Sequence, residues 1–510
     1  MSKERLFNLI DEPWIPVVGN QEQSLRDIFS KLELPQLAGN AVEKIVMLRL
    51  LLSITHGAIQ LEDEDAWHDL TPETISSGVL KYLEAHYTEF YLFSDKPFLQ
   101  FPQLEQLGKP ADLGSLQVNV ACGNKVVLSQ WNLARDLSIP EKARLLLRSC
   151  CFGCGGKRYD NRIVLTPGYT GKRNDKGKAT TGSGGTLLGY KGYLHCMIVG
   201  ETILETVKNN LLTQEDIEDI GGFTAGMGRP AWENMPNGEA DSIAEAYKSS
   251  YLGSLLPLDK FLLLTPDGII MTDGIEYPNH KNGLIDPGVT IFPDGKNVRA
   301  LWVDQEKRPW RELESILAFL KTEKQLATPY FLACGREKIL QKSSNIKIWT
   351  GGVGVSSNSG EQYLSGTDDY FESEFTIPRT ILERGGLNTY IILMKRLSEV
   401  EKVLYSAVNG FYAEMKDATG KDLAARATKA FWEQAESRSQ KIINLSAITT
   451  TEEEAEKEIN HWIGWVYDIY ERFCPHESTR QLIAYVKSTP RFKRSKDKDK
   501  KNKEQLCQRA

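Results

Sequence analysis

Two cysteines separated by two residues are the first candidates for chemistry in this sequence. Cys151 and Cys154 form a CxxC motif, and His195 and Cys196 follow further along the chain. Thiolates and imidazoles are the usual ligands of four-coordinate zinc, so these four residues are one candidate zinc site. The CxxC lacks a clean second pair, and packed thiols or a plain turn are the alternative interpretation.

Motifs of the common catalytic sites are missing. The segment GYTGKR lacks the spacing of a phosphate-binding loop, and TGSGGTLLG lacks the third glycine of a dinucleotide fingerprint. Neither HExxH nor GxSxG occurs. We therefore expect a protein without a catalytic residue set.

A basic, glycine-rich segment follows the CxxC. Between Lys157 and Lys178 there are seven Lys and Arg against two Asp, together with tyrosines and glycines. Such a loop is suited to a phosphate backbone and to stacking of a base, although a solvated flexible loop has the same composition. Gly182, Gly184 and Gly185 add a point where the backbone can approach a groove closely.

A second loop-like segment reads GGVGVSSNSG, from Gly351 to Gly360. We do not expect it to form core. Its small polar side chains fit a minor groove about 6 Å wide, and a surface linker between domains is the alternative.

Charge is segregated along a chain that is acidic overall. The net charge is -6, from 62 Lys and Arg against 68 Asp and Glu, yet Lys487 to Ala510 holds ten basic and three acidic residues. Eight cysteines suit reduced thiols better than disulfides. Without an apolar leader or a run long enough to span a bilayer, a cytoplasmic protein with no membrane partner is expected.

The pattern of apolar residues predicts an α+β protein: a large mixed N-terminal domain followed by a C-terminal four-helix bundle. A buried helix begins after an Asn40 cap, and strands are expected at KFLLLT and GIIMT. WRELESILAFLKT is predicted to be one amphipathic helix. The predicted domains are residues 1–375, the bundle at 376–490, and a basic tail at 491–510 that we expect to be disordered.

The order of several motifs resembles one family. These are FNLIDEPWIPV, FYLFSDKPFLQ, the CxxC with its basic loop, GRPAWE, the late Gly/Ser/Asn loop and the terminal bundle. Over about residues 6 to 490 the chain is similar to CasA, the large subunit of the type I-E CRISPR surveillance complex, Cascade. The resemblance implies a non-catalytic subunit that reads the protospacer-adjacent motif (PAM) of double-stranded target DNA from the minor groove and starts R-loop formation. Its implied partners are the other Cascade subunits, the CRISPR guide RNA and a helicase-nuclease.

The resemblance also implies three elements that contact DNA and one that meets the guide RNA or its subunits. The glycine loop maps to Gly182, Ser183, Gly184 and Gly185, and the lysine finger to Lys281 with Asn282. The wedge that separates the strands maps to Ser356, Ser357, Asn358, Ser359 and Gly360, where the family's glutamine is missing and Gln362 lies two residues beyond. The guide-RNA and subunit contact maps to Cys151, Gly153, Cys154, Lys157, Arg158 and Arg162.

Two other functions remain open at this point. One is a metal-dependent enzyme that processes nucleic acid, which would need carboxylates or His and Cys side chains converging on one site. The other is a scaffold that binds only protein, with the bundle as its docking face.

Overall fold

The computed structural model describes most of the chain, in two compact units divided between Arg379 and Thr380. The described residues are 7–19, 21–113, 136–155, 162–171, 187–304, 306–321, 329–358, 361–363, 370–382, 386–447 and 452–492.

The helices of the first unit are mostly short. Their bounds are α1 Leu25–Ser30, α2 Ala41–Ala58, α3 Glu64–Asp69, α4 Pro72–Ala85, α5 Ile139–Phe152, α6 Ile203–Asn209, α7 Gln214–Ile220, α8 Ser242–Lys248, α9 Tyr251–Leu255, α10 Leu313–Ile316 and α11 Tyr330–Leu340.

The strands also lie in the first unit. They are β1 His195–Ile198, β2 Lys260–Thr265, β3 Gly268–Asp273, β4 Ile291–Asp294, β5 Asn297–Ala300, β6 Asn345–Val353, β7 Ser356–Asn358, β8 Glu361–Tyr363 and β9 Tyr370–Pro378.

Helix α2 is the centre of the first unit, and it begins where the sequence predicts. The Asn40 side chain accepts a hydrogen bond from the Glu43 amide, and the Glu43 carboxylate accepts one from the Asn40 amide. This capping box satisfies amides that the first turn would leave unpaired. Every residue from Ile45 to His56 is buried, so the helix is enclosed on all sides.

A three-stranded antiparallel sheet in the order β1-β6-β9 packs against this core. The pairs β2-β3, β4-β5 and β7-β8 form separate two-stranded antiparallel units. Strand β6 pairs with β1 through His195 and Gly351, and with β9 through Gly351 and Glu372. The expected strands KFLLLT and GIIMT are β2 and β3, paired in register from Lys260 and Asp273 to Thr265 and Gly268.

The segment GGVGVSSNSG is not a single surface loop, and our expectation that it builds no core is wrong for its first part. Gly351, Gly352 and Val353 are buried residues of β6. A Cβ atom at Gly352 would lie 2.5 Å from the Tyr193 carbonyl oxygen, and one at Gly351 2.7 Å from that of Phe371. These glycines therefore permit close packing inside the sheet.

The second unit is helical. After α12 (Arg379–Leu382), which crosses the division between the units, it contains α13 Gly386–Glu414, α14 Gly420–Glu436, α15 Ser439–Asn444, α16 Glu452–Phe473 and α17 Thr479–Ser488. Helix α13 packs against α14, α16 and α17, and these four are the predicted bundle helices. The predicted α+β class with a C-terminal helical bundle is confirmed, and the short α15 is an addition to it.

Among the described residues, no helix combines the length and the apolar character needed to cross a membrane.

Candidate nucleic-acid interface

Strands β7 and β8 form a short hairpin that carries the candidate wedge. Ser356 pairs with Tyr363, Ser357 with Gln362, and Asn358 with Glu361. The candidates Ser356, Ser357 and Asn358 therefore form one arm of the hairpin. The candidates Ser359 and Gly360 lie outside the described residues.

Gln362 anchors this hairpin from its second arm. Its side chain is only 6% exposed. The Oε1 atom accepts a hydrogen bond of 2.9 Å from the Gly155 amide, and Nε2 donates one of 2.8 Å to the Gly189 carbonyl oxygen. The Gln362 amide also donates to the Gly155 carbonyl oxygen at 3.0 Å. Gln362 is therefore buried, and its hydrogen bonds connect the hairpin to the segments that contain Gly155 and Gly189.

The turn at residues 187–192, here called the Tyr190 turn, lies against the base of the hairpin. The Val355 amide donates to the Lys191 carbonyl oxygen at 3.1 Å. Gly192 has a φ of +89°, and a Cβ atom there would lie 1.7 Å from the Val353 carbonyl oxygen, so this position accepts only glycine. The candidates Gly182, Ser183, Gly184 and Gly185 precede this turn in the chain and lie outside the described residues.

The candidate lysine finger lies in a turn at residues 279–283, here called the Lys281 turn. Lys281 and Asn282 are exposed and belong to a 3-10 helix whose cap, Asn279, accepts a hydrogen bond from the Lys281 amide. His280 holds the turn in place, because its Nδ1 lies 3.0 Å from the Tyr193 hydroxyl. Tyr193 directly follows the Tyr190 turn, so the two turns and the hairpin share one scaffold.

Aromatic rings fix the position of that scaffold. The rings of Tyr193 and Trp302 are stacked with their centroids 4.8 Å apart, and His280 packs edge-on against Trp302. Tyr193 is 2% exposed, and burial raises the pKa of its hydroxyl to about 12. The hydroxyl therefore stays protonated at neutral pH and available to His280.

The candidate guide-RNA contact divides into a buried part and an exposed part. Cys151 and Cys154 are 0% and 8% exposed, and a Cβ atom at Gly153 would lie 2.8 Å from the Lys260 side chain. These three residues are packed into the core, so they offer no accessible side chain to RNA. Arg162 is exposed, and Lys157 and Arg158 lie outside the described residues.

Glu239 positions the segment that begins with Arg162, and no motif in the sequence pointed to it. The side chain is 1% exposed, and its two carboxylate oxygens accept hydrogen bonds from the Leu165 and Thr166 amides. A buried carboxylate bonded in this way fixes the backbone conformation of the segment.

The four candidate zinc ligands do not form one site. His195 and Cys196 are neighbours in β1, where successive side chains point to opposite faces. His195 instead lies 3.2 Å from the Arg49 guanidinium and packs edge-on against Phe152. No cluster of three or more His, Cys, Asp or Glu side chains able to hold a metal occurs in the described part of the chain.

Arg49, Asp286 and His195 form a buried polar cluster below β1. Arg49 Nη2 donates to Asp286 Oδ1 at 2.6 Å, and both side chains are almost fully enclosed. Burial opposes ionisation of Asp286, but the Arg49 guanidinium lowers the pKa of this carboxyl below its ordinary value. Burial also lowers the pKa of His195 to about 3, so the imidazole is neutral at physiological pH. All three side chains are buried, so the cluster is part of the core.

Comparisons with known proteins agree on one family. CasA/Cse1 of Thermus thermophilus is 32% identical over 173 residues, 30% of this chain and 33% of that protein. The alignment thus spans about a third of the curated relative. Solved structures resemble nearly the whole chain. Thermobifida fusca Cse1 has 19% identity and a TM-score of 0.71, with 95% of this chain and 96% of that chain covered.

A chain of a structure described as a CRISPR RNA-guided surveillance complex is also similar. It has 17% identity and a TM-score of 0.67, with 95% of this chain and 98% of that chain covered. At these identities the structural likeness shows a shared fold. The family model for CRISPR-associated protein Cse1 matches residues 8–469, which is most of the sequence. The chain therefore belongs to the Cse1 family of CRISPR-associated proteins.

Proposed function

We propose that this chain is the large subunit of a CRISPR RNA-guided DNA surveillance complex of the Cascade type. It reads the PAM of double-stranded DNA from the minor groove, wedges the duplex open and recruits a helicase-nuclease that does the cutting. Membership of the Cse1 family supports this proposal, as does the fold shared with a chain of a surveillance complex. Guide RNA and the other Cascade subunits are its proposed partners.

The observation that carries the proposal is the hairpin held by Gln362. Its arm Ser356–Asn358 is tied through Gln362 to Gly155 and to the Tyr190 turn. The Lys281 turn is fixed to the same scaffold through Tyr193. A short hairpin on a rigid base, with a lysine turn on the same scaffold, is an arrangement suited to entering a groove and contacting phosphate.

Opening the DNA duplex requires only a small contribution of free energy from this subunit. Separating DNA costs about 1.4 kcal/mol per base-pair step, and the RNA–DNA hybrid that replaces it is about as stable. A wedge and a few phosphate contacts are enough to favour opening, and no catalytic residue is needed for this step. The acidic net charge of -6 is compatible with this role, since the affinity would come from local basic loops and from the assembled complex.

The proposal is tested by reconstituting the complex with guide RNA and measuring binding to duplexes that carry a randomised PAM. The wild-type complex should prefer a small set of PAM sequences. Asn358→Ala and substitution of Gly184 and Gly185 should reduce that preference, whereas Lys81→Gln, at an exposed lysine of α4, should not.

The alternative functions give different results. Normal PAM-dependent binding by all of the variants would favour a scaffold that binds only protein. Magnesium-dependent cleavage of DNA by the purified chain, with no helicase-nuclease present, would favour an enzyme. Recruitment of the helicase-nuclease is tested by DNA degradation in the complete system, which should require this subunit.

A further inference from the structure

We propose that Tyr190 and Lys191 form an additional DNA contact beside the wedge. The Tyr190 ring stacks on a base released by strand separation, and the Lys191 ammonium contacts the neighbouring phosphate. This inference rests on the proposed function, and it assigns a ligand to a surface that the three candidate DNA elements do not include.

Tyr190 is unusually exposed for an aromatic residue in a turn so well packed. Its side chain is 64% exposed, whereas Tyr193, three residues later, is 2% exposed and stacks on Trp302. Leu187 and Leu188, which precede it, are buried. The turn thus buries its other large apolar side chains and presents one aromatic ring outward next to an exposed lysine.

The backbone beneath this ring is fixed. Gly189 has a φ of +78°, and its carbonyl oxygen accepts a hydrogen bond from Gln362 Nε2. The next carbonyl, of Tyr190 itself, lies 3.4 Å from the same nitrogen, and that of Lys191 accepts from the Val355 amide. The hydrogen bonds from Gln362 and Val355 therefore hold the Tyr190 backbone against the hairpin. Because this backbone is already fixed, little backbone entropy is lost when a ligand binds there.

The chemistry of the pair favours a nucleic acid. Exposed aromatic rings beside basic side chains bind single strands by stacking on bases and pairing with phosphates, with little dependence on sequence. A base expelled by the hairpin arm would emerge next to the ring that shares its anchor. Lys281, exposed on the turn held by Tyr193, adds a second positive charge on this scaffold.

The experiment uses the assembled complex with guide RNA and a PAM duplex in which 2-aminopurine replaces a base at the first target pair. Tyr190→Ala should weaken binding by about 5- to 150-fold, the range for loss of one stacked base, and should change the 2-aminopurine fluorescence of the bound state. Tyr190→Phe keeps the ring and should bind as the wild type does. Lys191→Gln should lower the slope of log K against log salt by about one, unlike Lys81→Gln.

The outcomes distinguish the stacking contact of Tyr190 from the proposed function. If the wild-type complex distinguishes PAM from non-PAM duplexes and Tyr190→Ala binds as the wild type does, the stacking contact is wrong while the proposed function stands. If the wild type shows no PAM preference, the proposed function fails. Equal weakening by Tyr190→Ala and Tyr190→Phe would assign the effect to the hydroxyl and overturn stacking. If Tyr190→Ala does not assemble, Tyr190→Leu provides the comparison without a ring, and wild-type affinity of that variant overturns the proposal.

Discussion

Replacing Gln362 with methionine should release the hairpin without removing any residue of its tip. Methionine has a similar length and no hydrogen-bonding amide, so the packing is kept while the side-chain hydrogen bonds to Gly155 and Gly189 are lost. The Gly155 amide and the Gly189 carbonyl oxygen then stay buried without these partners. At about 1–3 kcal/mol for each buried unpaired group, the local free energy of opening should fall by about 2–6 kcal/mol.

Hydrogen exchange measures this loss at the atom concerned. In the wild type the Gly155 amide donates to Gln362 Oε1 at 2.9 Å and should exchange slowly. A loss of about 2 kcal/mol accelerates exchange by about 30-fold, and larger losses more. In the reconstituted complex the same variant should discriminate less well between PAM and non-PAM duplexes, because the wedge is no longer held in one position.

Gln341→Met is the matched control, since Gln341 is exposed beyond the end of α11. It should leave both the exchange of Gly155 and PAM discrimination unchanged. The reasoning is refuted if Gln362→Met leaves the Gly155 amide as protected as in the wild type. It is also refuted if the amide exchanges faster while PAM discrimination is fully retained.

Further predictions concern the charged and titrating residues. Lys281→Gln should weaken duplex binding and lower the salt slope by about one, while Lys81→Gln leaves both unchanged in the same titration. Arg49→Met removes the partner of the buried Asp286 and should lower the free energy of unfolding in urea by about 3–5 kcal/mol; a loss below about 1 kcal/mol would contradict the assigned ion pair. Burial lowers the pKa of His56 and His195 from 6.5 to about 3, so the unfolded chain takes up a proton at each histidine as the pH falls below 6.5. Protonation of each histidine in the unfolded chain should therefore lower the free energy of unfolding by about 1 kcal/mol between pH 7 and pH 5.5. The variant His56→Gln should lack the part of this decrease that comes from His56.

The sequence alone was sufficient to predict the elements whose buried residues follow a regular local spacing. The Asn40 cap and the apolar run after it predicted α2, and the apolar runs KFLLLT and GIIMT predicted the strands β2 and β3. The four long amphipathic helices after residue 380 were likewise predictable from their apolar spacing.

The segments whose secondary structure was predicted wrongly are those in which tertiary contacts determine the backbone conformation. WRELESILAFLKT does not form one helix. It contains the end of a 3-10 turn, then the four-residue α10, and then a second 3-10 turn. Its buried residues Trp310, Leu313, Ile316 and Leu317 lie three and four residues apart, as in an α-helix, so this spacing gave no sign of the two 3-10 turns. The glycines of GGVG indicated a loop, yet Gly351 and Gly352 lie in the central strand β6, packed against the carbonyl oxygens of Phe371 and Tyr193.

The candidate site was predictable in part for the same reason. Lys281 was identified through the family resemblance as the lysine-finger candidate, and it is exposed in a turn. The role of Gln362 depends on Gly155 and Gly189, which are far from it in sequence, so no local pattern could show it. The CxxC motif did not show whether Cys151 and Cys154 would bind zinc or be packed thiols, because their burial depends on the core against which α5 packs.

The central claim is that the hairpin anchored by Gln362 enters the duplex beside the PAM. A photoreactive amino acid in place of Asn358, in the complex reconstituted with guide RNA, tests this most directly. The account predicts crosslinks to the nucleotides where the PAM meets the first target base pair, and only on duplexes with a functional PAM. Crosslinks confined to neighbouring subunits, or spread along the duplex whether or not a PAM is present, would contradict it.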